Sequence, residues 1–518
     1  MKKAQIKKSV SALAMAAIIA VSLFGYGCGA KSASTSSDAG VSGDFTGTAK
    51  GFGGDVSVTL TLTDGAITGC TAEGKDETEG VGSQAIAKMP GEIAESGSIA
   101  VDGVSGATVT STAIKEAAAA ALTAAGLNPD DYKTAVENDA TAEDSTVDAD
   151  VVVVGAGGAG MTAAITAAAE GKSVVILESQ SMVGGNSVRA TGGMNAGKTV
   201  SVGSYMIPLL EENCEKAGVK MMLDTTATEI LTDANGAAVG VKATGASGET
   251  VTVNAKAVVL ATGGFGANLD MVVKYKPELK GFMTTNAPGI QGQGIEMAQA
   301  IGAATVDMDQ IQIHPTVEAN TAALITEGLR GDGAILINEE GQRFIDEVGT
   351  RDVVSAAEIA QTGSYSWLVV DQAMADASSV IQGYIKKGYT VTGATYEELG
   401  KAMGVDAAAF AETMEKWNGY VEAKNDPDFG RTSFANPLNT APYYAVKVTA
   451  GVHHTMGGLK INANTEVLNE KGEVIPGLFA AGEVTGGVHG ANRLGGNAVA
   501  DFTVFGRIAG AAASDYAA

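Results

Sequence analysis

Asp150-Val151-Val152-Val153-Val154-Gly155-Ala156-Gly157-Gly158-Ala159-Gly160 decides how the larger part of this chain folds. Four consecutive valines have the pattern of a strand buried on both faces of a parallel sheet. The glycines that follow open an Ala-rich helical segment, and Ser173-Val174-Val175-Ile176-Leu177 is then a second strand ending at Glu178. A lone G-x-G-x-x-G is a weak signal. Set between a strand and a helix, with an acidic residue closing the next strand, it predicts a dinucleotide-binding βαβ unit. Gly155 makes the turn, Gly157 lets a pyrophosphate approach, Gly160 lets helix and strand pack, and Glu178 takes the ribose hydroxyls.

Working outward, Gly184-Gly185-Asn186-Ser187 and Thr191-Gly192-Gly193-Met194-Asn195 supply a second Gly-rich lining. Ala257 to Gly264 is a further buried strand ending in Thr262 and Gly263, and Gly477 to Glu483 returns a strand to the same sheet near the C-terminal end. These segments point to FAD rather than NAD. They resemble the family of flavoprotein reductases that includes the fumarate reductase and succinate dehydrogenase flavoprotein subunits. The resemblance spans nearly all of residues 148–518.

The chemistry is concentrated in three other Gly-rich segments. The first holds His314, Thr326, Glu327, Arg330 and Arg351, with Ala334-Ile335-Leu336-Ile337-Asn338, a Glu339-Glu340-Gly341 turn and Gln342-Arg343-Phe344-Ile345 between them, which predicts a hairpin. Glu327 and Arg330 are three apart, so one helical turn sets them side by side. The second holds His453 and His454, and the third holds His489, Arg493 and Gly496. A surface hairpin with solvated charges is the plainer alternative. Against it, the chain has 4 histidines in all, and of its scarce arginines Arg330, Arg351 and Arg493 fall in these same segments. Guanidinium forks match carboxylate geometry, so the cluster suits a carboxylate-bearing substrate.

Similarity to the soluble flavocytochrome-type fumarate reductases implies roles for these residues. His453 and Arg493 would hold one substrate carboxylate, while His314 and Thr326 would hold the other and twist it out of the alkene plane. FAD, bound non-covalently, would give a hydride from N5. Arg351 would donate the proton and be refilled through Glu327 and Arg330. His454 would lie near the pyrimidine edge of the flavin, with Asn186, Gly192, Gly193, Thr262, Gly263, Glu483 and Gly496 among the cofactor contacts. An arginine acid is unusual, because its free pKa is roughly 12.5–13.8. A closed, dry site beside other cations lowers the cost of the neutral form. Such a site needs a mobile cap over residues 310–445.

Ahead of this unit, Val56-Ser57-Val58-Thr59-Leu60-Thr61-Leu62 alternates as a half-buried strand, and Asp64-Gly65 turns it back. Asp102-Gly103-Val104-Ser105-Gly106-Ala107-Thr108 then leads into an Ala-rich helix. On composition alone this is a Gly turn with helix-capping hydroxyls. Position by position it resembles the Asp-x-x-Ser-Gly-Ala-Thr motif of exported FMN-binding domains. That resemblance implies covalent FMN, its phosphate esterified to Thr108 by a flavin transferase. A phosphate there would meet the free N–H groups of a helix N-terminus.

At the N-terminal end, a basic stretch precedes an apolar run from Val10 to Gly25, in the charge order of a secretory signal peptide. Small residues before Cys28 resemble a lipoprotein cleavage box, with Gly25 where that box has Leu. The expected organisation is a signal peptide over 1–28 with lipidation at Cys28, a Ser/Gly-rich tether over 29–43 and an FMN-binding domain over 44–128. An acidic linker over 129–148 follows, then an FAD-binding domain over 149–309 and 446–518, with the capping domain over 310–445 inserted. The fold class is therefore α/β: a Rossmann-like FAD-binding domain with an inserted α+β cap, preceded by a small α+β FMN-binding domain.

With 518 residues there is room for about three domains at roughly 150 residues each. The formal net charge of −25 excludes nucleic acid and an anionic membrane surface as partners of the fold itself. It also requires a locally positive pocket for any anionic substrate. Three cysteines make no disulfide scaffold, and no metal-ligand spacing or Cys-x-x-Cys-His haem motif occurs. The reading is an exported, membrane-anchored fumarate reductase of anaerobic respiration, fed by a membrane or extracytoplasmic electron donor. The alternatives are a reductase of urocanate, methacrylate or a cinnamate-type acid, or a non-catalytic flavin shuttle or solute-binding lipoprotein. Steroid dehydrogenation fits poorly with clustered cations in what would have to be an apolar pocket.

Overall fold

The valine run forms the central strand of an eight-stranded sheet. A computed structural model describes residues 40–77, 81–104, 107–133, 143–190 and 202–518. Within it Ser145–Val154 lies parallel to Val174–Leu177 on one side and to Thr250–Leu260 on the other. Lys220–Met222 extends the first flank, and Val474–Ala480 adds in parallel to the second. Alternate valines serve opposite faces: Val152 and Val154 enter one core, Val151 and Val153 the other. No polar side chain fits at these positions, which is why the run is unbroken.

The expected acidic linker needs correcting at both ends. Ser145 to Asp148 belong to the central strand, paired with Val251 to Asn254. The Asp148 carboxylate stays exposed and accepts from Asn254 Nδ2 at 2.9 Å, and neighbouring Asp144 accepts from the Thr250 N–H at 2.7 Å. At the other end Pro129–Tyr132 is a 3-10 turn tied to the preceding domain, with the Ile99 N–H donating to the Tyr132 carbonyl at 2.8 Å. At Asp148 acidity goes with solvent exposure on a paired strand, while residues 134–142 lie outside the described residues.

The small N-terminal sheet has three antiparallel strands, Gly43–Lys50, Asp55–Thr63 and Ala66–Glu73. Asp64 and Gly65 both take positive φ, 50° and 82°, as a two-residue hairpin turn of this hand requires. Val56, Val58, Leu60 and Leu62 face the helices Gly82–Ser96 and Thr108–Ala124 with at most 1% exposure. The approach is close at Gly47, where a Cβ would fall 2.2 Å from the Ala117 carbonyl oxygen.

A second sheet organises the region between the two halves of the FAD-binding unit. Its long strand Tyr443–Thr455 pairs with Ile311–Glu318, Ser366–Asp371 and Thr390–Gly393. The expected hairpin at Ala334–Ile345 is half formed. Ile335–Ile337 is a strand, but it pairs with Ser366–Asp371, and the second run keeps a single bridge, Ile337 with Arg343. At that bridge the Arg343 side chain is turned inward to Glu347 and Asp426. No described helix is long and apolar enough to cross a membrane.

Candidate active site

Two backbone irregularities aim the histidines. The Ile311–Glu318 strand runs opposite Tyr443–Thr455 with Gln312 across from His454 but Ile313 across from Val452, so His453 is an extra residue in a bulge. A second register shift follows His314, at Pro315 and Thr316. Bulges re-aim side chains, and a proline that cannot donate to a ladder is tolerated there. As a result the His314 and His453 rings meet edge to face, 5.2 Å between centroids, on the wall of a cavity of about 1280 Å³.

Thr326, Glu327, Arg351 and Arg493 line the same end of that cavity. Glu327 precedes a single helical turn, Gly328–Gly331, and stands between two guanidiniums. Arg351 donates to its Oε2 from Nε at 3.0 Å and from Nη2 at 2.5 Å, and Arg330 Nη2 donates to Oε1 at 3.1 Å. Arg330 does not reach the cavity; it lies behind Glu327 with 2% exposure. Close packing at Gly495 is part of the design, since a Cβ there would sit 3.2 Å from Arg351 Nη2.

Burial, then the Arg351, Arg330 and Arg493 guanidiniums, hold His314 well below the usual imidazole range. His453 is lowered likewise by burial, His314, Arg493 and Arg351. Both rings are therefore neutral. His314 Nδ1 accepts the Thr316 N–H at 3.2 Å, which leaves its proton on Nε2. Burial would raise the Glu327 carboxyl, but Arg351 and Arg330 hold it low, so it stays ionised. Burial and Arg351 bring Arg493 down to about 10, and its Nε has no partner among the described residues. This end of the cavity carries more positive than negative charge, although the chain as a whole carries −25.

The other end of the cavity fits a dinucleotide. A Cβ on Gly155 would meet the Ala261 carbonyl oxygen at 2.5 Å, and one on Gly160 would meet the Gly155 oxygen at 1.9 Å. Gly157 is different: a Cβ there would have Ser187 Oγ as its nearest neighbour, at 3.8 Å. Protein packing dictates the first two glycines, whereas Gly157 keeps an open approach to the helix Gly158–Ala169. Gly155, Gly157, Glu178, Asn186, Thr262, Gly263, Glu483 and Gly496 all line the cavity; Gly160 is packed behind it. Glu178 holds the glycine turn from the next strand, accepting the Ala156 N–H at 2.7 Å. His454 Nδ1 pairs with Glu483 at 3.4 Å while its buried Nε2 has no partner among the described residues. Gly192, Gly193 and Cys28 lie outside the described residues, as does the side chain of Thr108.

The N-terminal domain contributes Phe52, Glu77, Ala107, Val109 and Thr110 to the same cavity. One continuous space therefore joins Ala107, Val109 and Thr110 to the histidine cluster. Several functional positions carry little signal in the sequence. Gln312 bonds both Arg351 Nη1, at 2.8 Å, and the Arg493 carbonyl, at 2.7 Å. It stands two residues before His314 on the same strand, a spacing that gains meaning only once the register is known. Thr285 holds His453 Nδ1 at 2.8 Å from a segment with no local pattern to reveal it.

Comparison with known proteins gives the family. The FAD binding domain family matches residues 150–204 and 196–499, and the FMN-binding domain family matches residues 51–123. An NADH:fumarate oxidoreductase of Klebsiella pneumoniae (strain 342) is 40% identical over 79% of this chain, and the match spans 52% of that protein, about half its length. A urocanate reductase of Eggerthella lenta is 36% identical over 94% of this chain and 95% of its own. Among solved structures, the open conformation of a flavocytochrome c3 fumarate reductase superposes with a TM-score of 0.64 at 34% identity, covering 72% of this chain and 79% of that one. The chain belongs to the FAD-binding family of flavoprotein oxidoreductases acting on C=C bonds, the family of the fumarate reductases, and carries an FMN-binding domain beside its FAD-binding domain.

Proposed function

We propose that this protein reduces the C=C bond of fumarate to give succinate, with FMN carried on Thr108 passing electrons to FAD. The observation that carries the reading is the four-sided cluster of His314, His453, Arg351 and Arg493 at one end of the flavin cavity. A dicarboxylate has two anionic ends to satisfy, and the cluster offers two neutral imidazole donors and two guanidiniums. His314 and Thr326 take one carboxylate, and His453 and Arg493 take the other.

When bound, FAD supplies the hydride, a chemistry no side chain can provide. The protein orients the alkene, polarises it through both carboxylates and delivers the proton. Arg351 is held by Glu327 and Gln312, so its guanidinium has a fixed direction. It protonates the carbon next to the one that receives hydride. Glu327 bridges Arg351 and Arg330, so a proton moves from Arg330 to Glu327 as Arg351 is refilled.

A second reading has its own support. The urocanate reductase match covers both the FMN-binding and FAD-binding parts at nearly full length. Urocanate has one carboxylate, so an imidazole-binding contact would replace one grip. The unbroken set of His314, Thr326, His453 and Arg493 favours the dicarboxylate. The basic and apolar N-terminal segment supports export, and Cys28 supports a lipid anchor that would place the flavins near a membrane donor. A panel of fumarate, urocanate, acrylate and methacrylate, assayed on flavin-loaded protein with a reduced dye, tests the substrate. Fumarate is expected to turn over fastest. Equal or faster reduction of urocanate would replace fumarate by the second reading.

A further inference from the structure

Behind the relay lies a group of buried polar atoms that the chemistry above leaves unused. The helix Arg351–Ile359 turns Arg351, Ser355 and Glu358 to one buried face, at positions i, i+4 and i+7. Ser355 and Glu358 are 0% exposed and Arg330 is 2%. Three of their atoms, Arg330 Nε, Ser355 Oγ and Glu358 Oε2, have no hydrogen-bond partner among the described residues. The remaining polar atoms of the two ionisable residues are engaged. Arg330 gives Nη1 to the Glu347 carbonyl at 2.6 Å and Nη2 to Glu327, and Glu358 Oε1 accepts from Ser366 Oγ at 2.5 Å. A donor, a hydroxyl and a carboxyl oxygen are a sufficient set to hold one buried water, and leaving three such atoms unmet costs free energy.

We propose that Glu358 is the proton store of this enzyme, passing protons through a water held by Ser355 to Arg330, and so to Glu327 and Arg351. The inference rests on the reductase reading above. In each turnover the substrate carbon takes a proton from Arg351; Glu327, a carboxylate at rest, then accepts a proton from Arg330 and passes it to Arg351. Arg330 then takes the Glu358 proton, leaving a buried carboxylate that must regain one proton before the next turnover. One proton enters per hydride delivered, so no further co-reactant is needed.

Burial pushes the Glu358 carboxyl up to about 8, Ser366 and Arg330 opposing it, so it carries a proton at neutral pH. The elements packed on its helix bring other titratable groups. These are His314 and Glu318 on Ile311–Glu318, Asp371 on Ser366–Asp371, and Lys447, His453 and His454 with two tyrosines on Tyr443–Thr455. None of these shifts it; Arg330 is the one charge that does. A store must be neutral when full and tolerable when empty, and an adjacent guanidinium stabilises the emptied carboxylate.

Glu358→Gln keeps the oxygen that Ser366 bonds and removes the exchangeable proton. In the flavin-loaded protein, kcat for the unsaturated acid should fall by about 10-fold or more, below the full effect of a positioned acid. KM and the rate of flavin reduction by dye should stay unchanged. Infrared difference spectra should lose a protonated-carboxyl band that titrates near pH 8 in the wild type, and Glu358→Asp should restore part of kcat. Should Glu358→Gln fold poorly, Ser355→Ala gives the kinetic test and the wild-type infrared titration stands alone. A wild-type pH–kcat profile in the variant, or no such band in the wild type, overturns the proposal. A wild type that turns over no unsaturated acid would instead sink the proposed function.

Discussion

Arg351 and Glu327 share one carboxylate oxygen: Nε and Nη2 of the arginine both reach Oε2, at 3.0 and 2.5 Å. The other oxygen is left for Arg330. A carboxylate between two guanidiniums, one facing the cavity and one behind it, has the geometry of a conduit. An ordinary surface pair would have had no need of the second arginine. Glu327→Gln should therefore lower kcat for C=C reduction by at least ~100-fold, the lower end for a positioned proton-transfer group. Substrate binding should change little, which steady-state kcat and KM separate.

Gly160 is confined by the protein itself. Gly160→Ala would put a methyl 1.9 Å from the Gly155 carbonyl oxygen and force the nucleotide turn open. The purified variant should contain little FAD but keep the flavin of its N-terminal domain, as flavin extraction and absorbance will show. Full FAD occupancy would mean that the turn is not the cofactor's seat.

Glu347 is wholly buried and accepts from Arg343 at 2.7 and 2.8 Å and from Arg431 at 3.0 Å. Arg431 also holds the Arg330 carbonyl at 2.7 Å, so this cluster braces the relay from behind. Glu347→Ala leaves two guanidiniums buried without their shared anion and should destabilise by about 3–5 kcal/mol in denaturant unfolding. Loss below about 1 kcal/mol on that scale would show that water or Asp426 compensates.

The His454–Glu483 pair predicts acid sensitivity. Burial would raise the Glu483 carboxyl, but His454 and the Thr455 N–H bring it down to about 2 from an ordinary 4.5. A lowered carboxyl contributes stability that is complete above its unfolded pKa and is lost as pH falls towards the folded one. The stability gap between wild type and Glu483→Gln should therefore shrink from about pH 4.5 down to about 2. Unfolding midpoints of both proteins across that range measure it; a gap that does not vary with pH would contradict the assignment.

Much of the flavin-binding framework was legible because its residues are dictated locally. Val151 to Val154 and the glycines after them state strand, turn and helix in one short run, and Asp64-Gly65 states a hairpin turn on its own. Arg330 and Glu327 were legible for the same reason, one helical turn apart. The partners drawn from a distance were not. Arg431 lies over 80 residues from Glu347 and has no spacing to announce it, and Gln312 becomes informative only once the bulge at His453 sets the strand register. Arg343 read only as a hairpin residue, and nothing in its spacing announces the two buried carboxylates that its guanidinium meets.

The central claim is that Arg351 delivers the proton to the substrate double bond. Rapid mixing of pre-reduced, flavin-loaded Arg351→Ala with fumarate, followed by flavin absorbance and succinate yield, tests it most directly. The account predicts that the variant is reduced at the wild-type rate yet is not reoxidised by fumarate. Reoxidation at the wild-type rate with stoichiometric succinate would contradict it.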